Sequence, residues 1–203
     1  MIKNIVFDMG GVLIQWNPDD LLTQHHINEQ ERKILMENLF HNWKWSLLDA
    51  GYYNEQQLVD EVCPLIPEKL RPIVRDIVMD FGRDNVPTVP GMPQLVKRLK
   101  DNGYKIYLLS NAGPRHHEYW CKVEGHEYFD GVFVSALYKM IKPERVIYKT
   151  MLETFKIKAE ESVFIDDMPI NCTGAFLSGI TPINFKGTDN LIAELTKIGV
   201  NCN

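Results

Sequence analysis

The sequence predicts an α/β fold, a doubly wound (Rossmann-like) parallel sheet with a small helical insert after its first strand. Two features point there: short continuous apolar runs alternate with helical spacings, and one long stretch holds no strand-like run. Residues 4–7 (Asn-Ile-Val-Phe) form the first apolar run, which ends at Asp8 and the turn-forming Gly10-Gly11. Such runs suit strands buried on both faces of a parallel sheet. Residues 16–88 carry helical stretches around 18–42, 54–61 and 68–82 and no strand. They are too few and too interrupted for an independent fold, so the expected division is a core of 1–15 plus 89–203 and an insert of 16–88. Met92, Leu95, Val96 and Leu99 then fall at i, i+3, i+4 and i+7, with Gly103 placed to end the helix. Residues 104–109 give a second strand that closes on Ser110-Asn111-Ala112-Gly113, and 132–134 a weaker third. Tyr148, Met151, Leu152 and Phe155 repeat the helical spacing after Pro143, a suitable first-turn residue. Residues 162–165 form a fourth strand ending at Asp166-Asp167, residues 180–184 a fifth, and Leu191, Leu195 and Ile198 mark a last helix. Alternation of this kind defines a doubly wound fold.

Composition narrows the function. The 203 residues are 45% hydrophobic and 24% charged, the balance of an ordinary globular chain. Twenty-two Lys+Arg against 27 Asp+Glu leave a net charge of −5, which argues against nucleic acid as a partner. The longest uncharged run, 168–185, is interrupted by Pro169, Gly174, Gly179 and Pro182, so no membrane span is expected. No signal peptide fits the first residues. Cys63, Cys121, Cys172 and Cys202 are scattered without a Cys-x-x-Cys pair, which reads as reduced thiols and a cytoplasmic location. The Gly-x-x-x-x-Gly-Lys and Gly-x-Gly-x-x-Gly phosphate loops are absent. Oligomeric state is left open.

The chemistry concentrates at strand ends. In open parallel sheets, ligands bind at the carboxyl edge where strand order reverses. Asp8, Ser110 and the Asp166-Asp167 pair would all project there, and Lys142 follows the third strand closely enough to join them. Three converging carboxylates repel one another unless a cation intervenes, and an all-oxygen set suits magnesium. A lysine and a hydroxyl then provide for a phosphate. In-line phosphoryl transfer needs that combination, because its catalysis is mostly positioning and charge neutralisation.

Val-Phe-Asp8-Met-Gly-Gly-Val, Leu-Leu-Ser110-Asn111, Lys142-Pro143 and Phe-Ile-Asp166-Asp167 with Asn171 resemble the four ordered motifs of the haloacid dehalogenase-like hydrolase superfamily. The helical insert resembles that superfamily's helical cap, and the likeness spans essentially the whole chain. The resemblance implies that Asp8 is a nucleophile forming a phosphoaspartyl intermediate. It implies Mg2+ held by Asp8, the Gly10 carbonyl and Asp167, with Asp166 ordering metal-bound waters. Ser110 would bind a phosphoryl oxygen, Lys142 would neutralise charge, and Asn111 would hold the nucleophile or the phosphate through its amide. The substrate implied is a small phosphorylated metabolite, with a sugar 1-phosphate among the candidates. The alternatives are a metal-independent 2-haloacid dehalogenase and a catalytically weakened phospholigand-binding module.

One position departs from the pattern. Most phosphatases of this superfamily carry a second Asp two residues after the nucleophile as general acid/base, and here that residue is Gly10. General acid catalysis is worth roughly 10²–10⁴-fold, so a donor from elsewhere, a good leaving group or a slow enzyme must follow. Trp16 falls at the hinge between core and insert, and Trp43, Trp45 and Phe40 either line a pocket or fill the insert's own core. Asp49 and Gly51 fall where capped relatives place a loop facing the site, while His116 or His117 is a further candidate for a substrate contact or a proton. The adjacent His25-His26 suit an exposed helix face.

Overall fold

A computed structural model describes residues 1–80 and 86–203. Five parallel strands, β1 (Asn4–Phe7), β2 (Lys105–Ser110), β3 (Gly131–Val134), β4 (Ser162–Asp166) and β5 (Thr181–Asn184), lie in the order β3-β2-β1-β4-β5. The chain therefore builds outward from β1 in one direction, then crosses back to build β4 and β5 on the other side. The reversal falls between β1 and β4, and β1 is central with all four residues buried. Each expected strand is present within a residue or two of its predicted bounds.

Strand alternation sorts the core into two layers, as the two-residue period requires. Ile5, Phe7, Ile106, Leu108, Val163 and Ile165 face one apolar cluster, while Val6, Tyr107, Leu109 and Phe164 face the other.

Between β1 and the rest of the sheet lie α1 (Pro18–Thr23), α2 (Glu29–Leu35), α3 (Trp43–Asp49), α4 (Glu55–Val62) and α5 (Arg71–Met79). These helices gather their own apolar cluster around Leu22, Leu39, Leu58, Val62 and Val74. The expected 18–42 helix is broken. Asn28 ends it by capping α2: its side chain accepts the Glu31 N–H at 3.0 Å, while Glu31 accepts the Asn28 N–H at 2.9 Å. His25 and His26 consequently sit in the turn between α1 and α2 rather than on a helix face, and His26 takes a left-handed φ of 52°. A π-helical turn, Met36–Phe40, follows α2. Helix α3 was not anticipated; Asn42 starts it by accepting the Lys44 N–H at 3.0 Å. The 54–61 expectation corresponds to α4. Of 68–82, the structure forms a 3₁₀ turn and α5, and residues 81 and 82 lie outside the described residues.

The two chains leading into and out of this helical layer pair with each other. Gln15 N–H donates to the Pro87 carbonyl at 2.8 Å and Val89 N–H to the Leu13 carbonyl at 2.9 Å. The Gln15 side chain adds a bond to the Thr88 carbonyl at 3.1 Å.

After the helical layer come α6 (Met92–Asp101), α7 (His117–Trp120), α8 (Ser135–Tyr138), α9 (Arg145–Phe155), α10 (Pro169–Leu177) and α11 (Thr188–Lys197). Helices α6 and α11 cover one face of the sheet, and α9 and α10 the other. Helix α9 starts at Arg145, so Pro143 lies ahead of the first turn rather than within it. The stretch before α9 is committed to bringing Lys142 inward. Helix α10 escaped periodicity because Gly174 and Ala175 are its contact surface, where the Gly174 position abuts Tyr148 and the Pro143 carbonyl.

Candidate active site

The strand ends meet at the carboxyl edge, at the reversal between β1 and β4. Asp8 continues β1, its N–H donating to the Ile165 carbonyl at 2.8 Å, and its Oδ1 accepts the Met9 N–H at 2.7 Å. Lys142 is 3% exposed, and its Nζ lies 2.8 Å from Asp8 Oδ1 and 2.7 Å from Asp166 Oδ2. Lys139, the neighbouring lysine, is exposed and lies over the Tyr52 ring instead.

Asp166 is fully buried and saturated. Oδ1 accepts the Met168 N–H at 2.8 Å, Oδ2 accepts Lys142, and the Asn171 amide donates to both oxygens at 3.1 Å. Asn171 is in turn fixed by the Tyr148 hydroxyl, which donates to its carbonyl at 2.7 Å. Asp166 therefore positions the lysine and the turn into α10. Asp167 is the more exposed of the pair, and its carboxylate occupies the space a Cβ on Gly11 would take, 2.5 Å away.

Asp8, Asp166 and Asp167 offer oxygens within 4.8 Å of one another. Lys142 supplies a single positive charge against their three negative ones. Burial pushes the Asp8 carboxyl above its usual range, opposed by Lys142 and reinforced by Asp166. Asp167 is raised by burial and by Asp166. Burial works to lower Lys142, but the Asp8 and Asp166 charges outweigh it and hold the ammonium above its ordinary value. With Asp166 spent on hydrogen bonds to Met168, Lys142 and Asn171, Asp8 and Asp167 are the carboxylates with oxygens left to offer a cation. The Gly10 carbonyl accepts no backbone bond among the described residues. An uncompensated all-oxygen set of this kind fits a hard divalent cation.

Ser110, at the end of β2, is buried and lines a cavity beside this cluster. Asn111 is placed differently from expectation. Its Oδ1 accepts the Lys142 N–H at 2.9 Å and its amide donates to the Lys142 carbonyl at 3.1 Å, so the side chain clamps the lysine's backbone. The cavity, about 130 Å³, lies between the sheet edge and the helical layer. Ser110, Asn111, Asp49 and Glu55 are its polar wall; Met9, Ile14, Trp16, Trp45, Leu48, Ile77, Val78 and Tyr119 make most of the rest. Trp16 and Trp45 sit 5.8 Å apart between ring centroids and Phe40 closes on both, whereas Trp43 is 64% exposed. His116 and His117 do not line the cavity: their Nδ1 atoms lie 3.3 Å from the Gly113 and Pro114 carbonyls, respectively.

A family model for haloacid dehalogenase-like hydrolases matches residues 2–175. The chain belongs to that family. Among haloacid dehalogenase-like relatives, a sesquiterpene phosphatase of Aspergillus oryzae is 26% identical over 93% of this chain and 91% of its own. A glyceraldehyde 3-phosphate phosphatase of Pyrococcus furiosus is 24% identical over 91% and 81%. A HAD family enzyme of Bacteroides thetaiotaomicron, solved with magnesium and inorganic phosphate, superposes with a TM-score of 0.66 at 25% identity, covering 92% of this chain and 96% of that one.

Glu55, Met9, Ile14, Tyr119 and the Ile77-Val78 pair are site residues that sequence reasoning missed. Glu55 follows Asn54, and the capping signal hides it: any acidic residue at a helix start reads as dipole compensation.

The loop after α3 is held to the core at two points. Ser135 Oγ donates to the Asp49 carbonyl at 2.5 Å and accepts the Ala112 N–H at 3.0 Å. Gly51 has φ +71°, and a Cβ there would lie 2.1 Å from the Ala136 carbonyl. Gly51→Ala is expected to cost about 2 kcal/mol of stability. It should appear as a lower urea midpoint at unchanged slope; an unchanged midpoint would contradict this packing.

Proposed function

We propose that the chain is a magnesium-dependent phosphoric monoester hydrolase working through a phosphoaspartyl intermediate on Asp8, with residues 16–88 acting as a cap over the site. The observation that carries this reading is Asp8 at the strand reversal, in reach of Lys142 and of a second carboxylate, Asp167. The magnesium–phosphate complex of the Bacteroides relative and the phosphatase names of two full-length relatives support it.

Asp8, Asp167 and the Gly10 carbonyl would hold Mg2+, which when bound supplies charge neutralisation of the phosphoryl oxygens. Lys142 favours the ionised form of Asp8 against the burial that raises it, and offers its ammonium to the same oxygens. Ser110 presents a hydroxyl from the end of β2 for a further phosphoryl oxygen. Asn111 and Asp166 keep Lys142 in place through its backbone and its Nζ, respectively.

The cavity wall bears on the leaving group. Its volume is close to that of a protein cavity that accepts one benzene ring, and its side chains are chiefly aromatic and aliphatic. A sugar 1-phosphate would find chiefly Asp49 and Glu55 for its hydroxyls, because Ser110 is committed to the phosphate and Asn111 to the Lys142 backbone. The proposed substrate is a small monoester whose alcohol carries apolar surface.

Phosphate release should be measured across aryl, prenyl and sugar phosphates with Mg2+ and after chelation. Turnover is expected to be lost on chelation and restored by Mg2+, with the apolar monoesters leading. Chloride release from 2-chloropropionate that ignores chelator would replace this reading with dehalogenation.

A further inference from the structure

The mechanism leaves one proton without a carrier, because position 10 has no side chain to protonate the departing oxygen. We infer that Asp49, the last residue of α3, is the general acid and then the general base of the phosphatase reaction proposed above, in place of the carboxylate absent at Gly10.

The placement comes from the cavity. Asp49 and Gly10 line the same space. A Cβ on Gly10 would meet Trp16 at 3.4 Å, Trp16 lies against Trp45, and the Trp45 indole lies against Asp49. Contacts thus run from the empty position on the core, along the two tryptophans that line the same cavity, to the carboxyl on the insert. The carboxyl is not a wandering one. Its backbone carbonyl is bound by Ser135, whose hydroxyl also takes the Ala112 N–H, two residues after Ser110. The end of α3 that carries Asp49 is therefore indexed to the strand end that carries the phosphate-binding hydroxyl.

The carboxyl also has the character of an acid. The groups that favour its charge are the Lys142 ammonium and the Trp45 indole, with no backbone N–H beside them. Burial pushes it up to about 7, with Lys142 and the Trp45 indole pulling it back. The titratable groups around it are Lys142 from the core, Tyr119 from α7 and Glu55 from α4. Glu55 is the poorer candidate because it accepts the Arg115 N–H at 3.1 Å. Burial raises the Tyr119 phenol, which makes it a weaker acid still.

In the first step, Asp8 Oδ forms a bond to phosphorus. The bond from phosphorus to the ester oxygen breaks, its electron pair stays on that oxygen, and the Asp49 proton moves there to release the alcohol. In the second, a water oxygen attacks the phosphoaspartyl phosphorus while the Asp49 carboxylate takes its proton. The acyl phosphate bond breaks, returning Asp8 as a carboxylate, phosphate as product and Asp49 protonated.

The test is single-turnover release of alcohol by wild type and Asp49→Asn, with Mg2+, from p-nitrophenyl phosphate and from an alkyl phosphate of similar size. A good leaving group needs no proton; an alkoxide does. Asp49→Asn is expected to slow release of the alkyl alcohol by about 10²-fold or more and p-nitrophenol by less than about threefold. In wild type, alkyl release should fall by about tenfold per pH unit above the Asp49 pKa, with no such limb for p-nitrophenol. This second measurement needs no variant. An equal loss on both substrates, no loss on either, or an alkaline limb shared by both would overturn the assignment while leaving the hydrolase reading intact. A wild type that releases no phosphate from any monoester overturns both.

Discussion

Asp8→Asn is expected to abolish steady-state phosphate release, by at least about 10⁴-fold, while leaving the protein folded. The amide cannot attack phosphorus, yet it has nearly the carboxylate's shape, and Lys142 keeps Asp166 as a partner at 2.7 Å. Stability should respond in a direction set by charge. Burial raises the Asp8 carboxyl in the folded state, so its contribution is present at low pH. It is lost as pH climbs from the unfolded carboxylate value through the folded one. Removing the ionisable group should therefore raise the thermal midpoint at about pH 8 without Mg2+, and change it little near pH 4. Turnover by Asp8→Asn equal to wild type would mean that another group attacks phosphorus.

Lys142→Met should have the second largest effect. It keeps the length of the stem but removes the ammonium, which lies 5.3 Å from the Phe164 ring centroid, and leaves Asp8 and Asp166 facing each other in a buried site. Breaking a buried pair by removing one partner costs about 3–5 kcal/mol. The Asp8 carboxyl, already raised by burial, can reduce that cost by holding a proton, so the loss should be smaller near pH 5 and grow toward pH 8. Saturating Mg2+ should recover part of it, since an ion that binds only the folded state stabilises that state. Urea melts at both pH values, with and without Mg2+, measure this. A loss independent of pH and of Mg2+ would show that Lys142 acts through its packing alone.

The sheet and its strand-end residues were legible because they obey local rules. Runs such as Ile5-Val6-Phe7 and Val163-Phe164-Ile165 must be apolar on both faces to lie inside a parallel sheet, and the first polar residue after each marks the binding edge. Lys142 was harder to read. A lysine between Ile141 and Pro143 looks like any surface lysine until Asn111, 31 positions earlier, is seen to hold its backbone. The helical layer was least legible. Asn28 and Asn42 set helix boundaries through capping bonds that compete with apolar periodicity, and the spacing of Trp16, Phe40 and Trp45 in sequence carries no hint that their rings meet. Asp49 was visible only as part of a loop, because burial and the approach of the Trp45 indole, not residue type, distinguish it.

The paired segments at 13–15 and 87–89 bear on how the site is assembled. Three hydrogen bonds join them. The chain that leaves the sheet edge after Asp8 therefore returns to it in a fixed register, and the helical layer is set in at one address rather than hung on two independent strings. Away from that seam, the Ser135 hydroxyl on the Asp49 carbonyl, the Arg115 guanidinium on the Met79 carbonyl and the Arg115 N–H on Glu55 tie the layer to the core again. Asp49 is thus located from both ends of the layer.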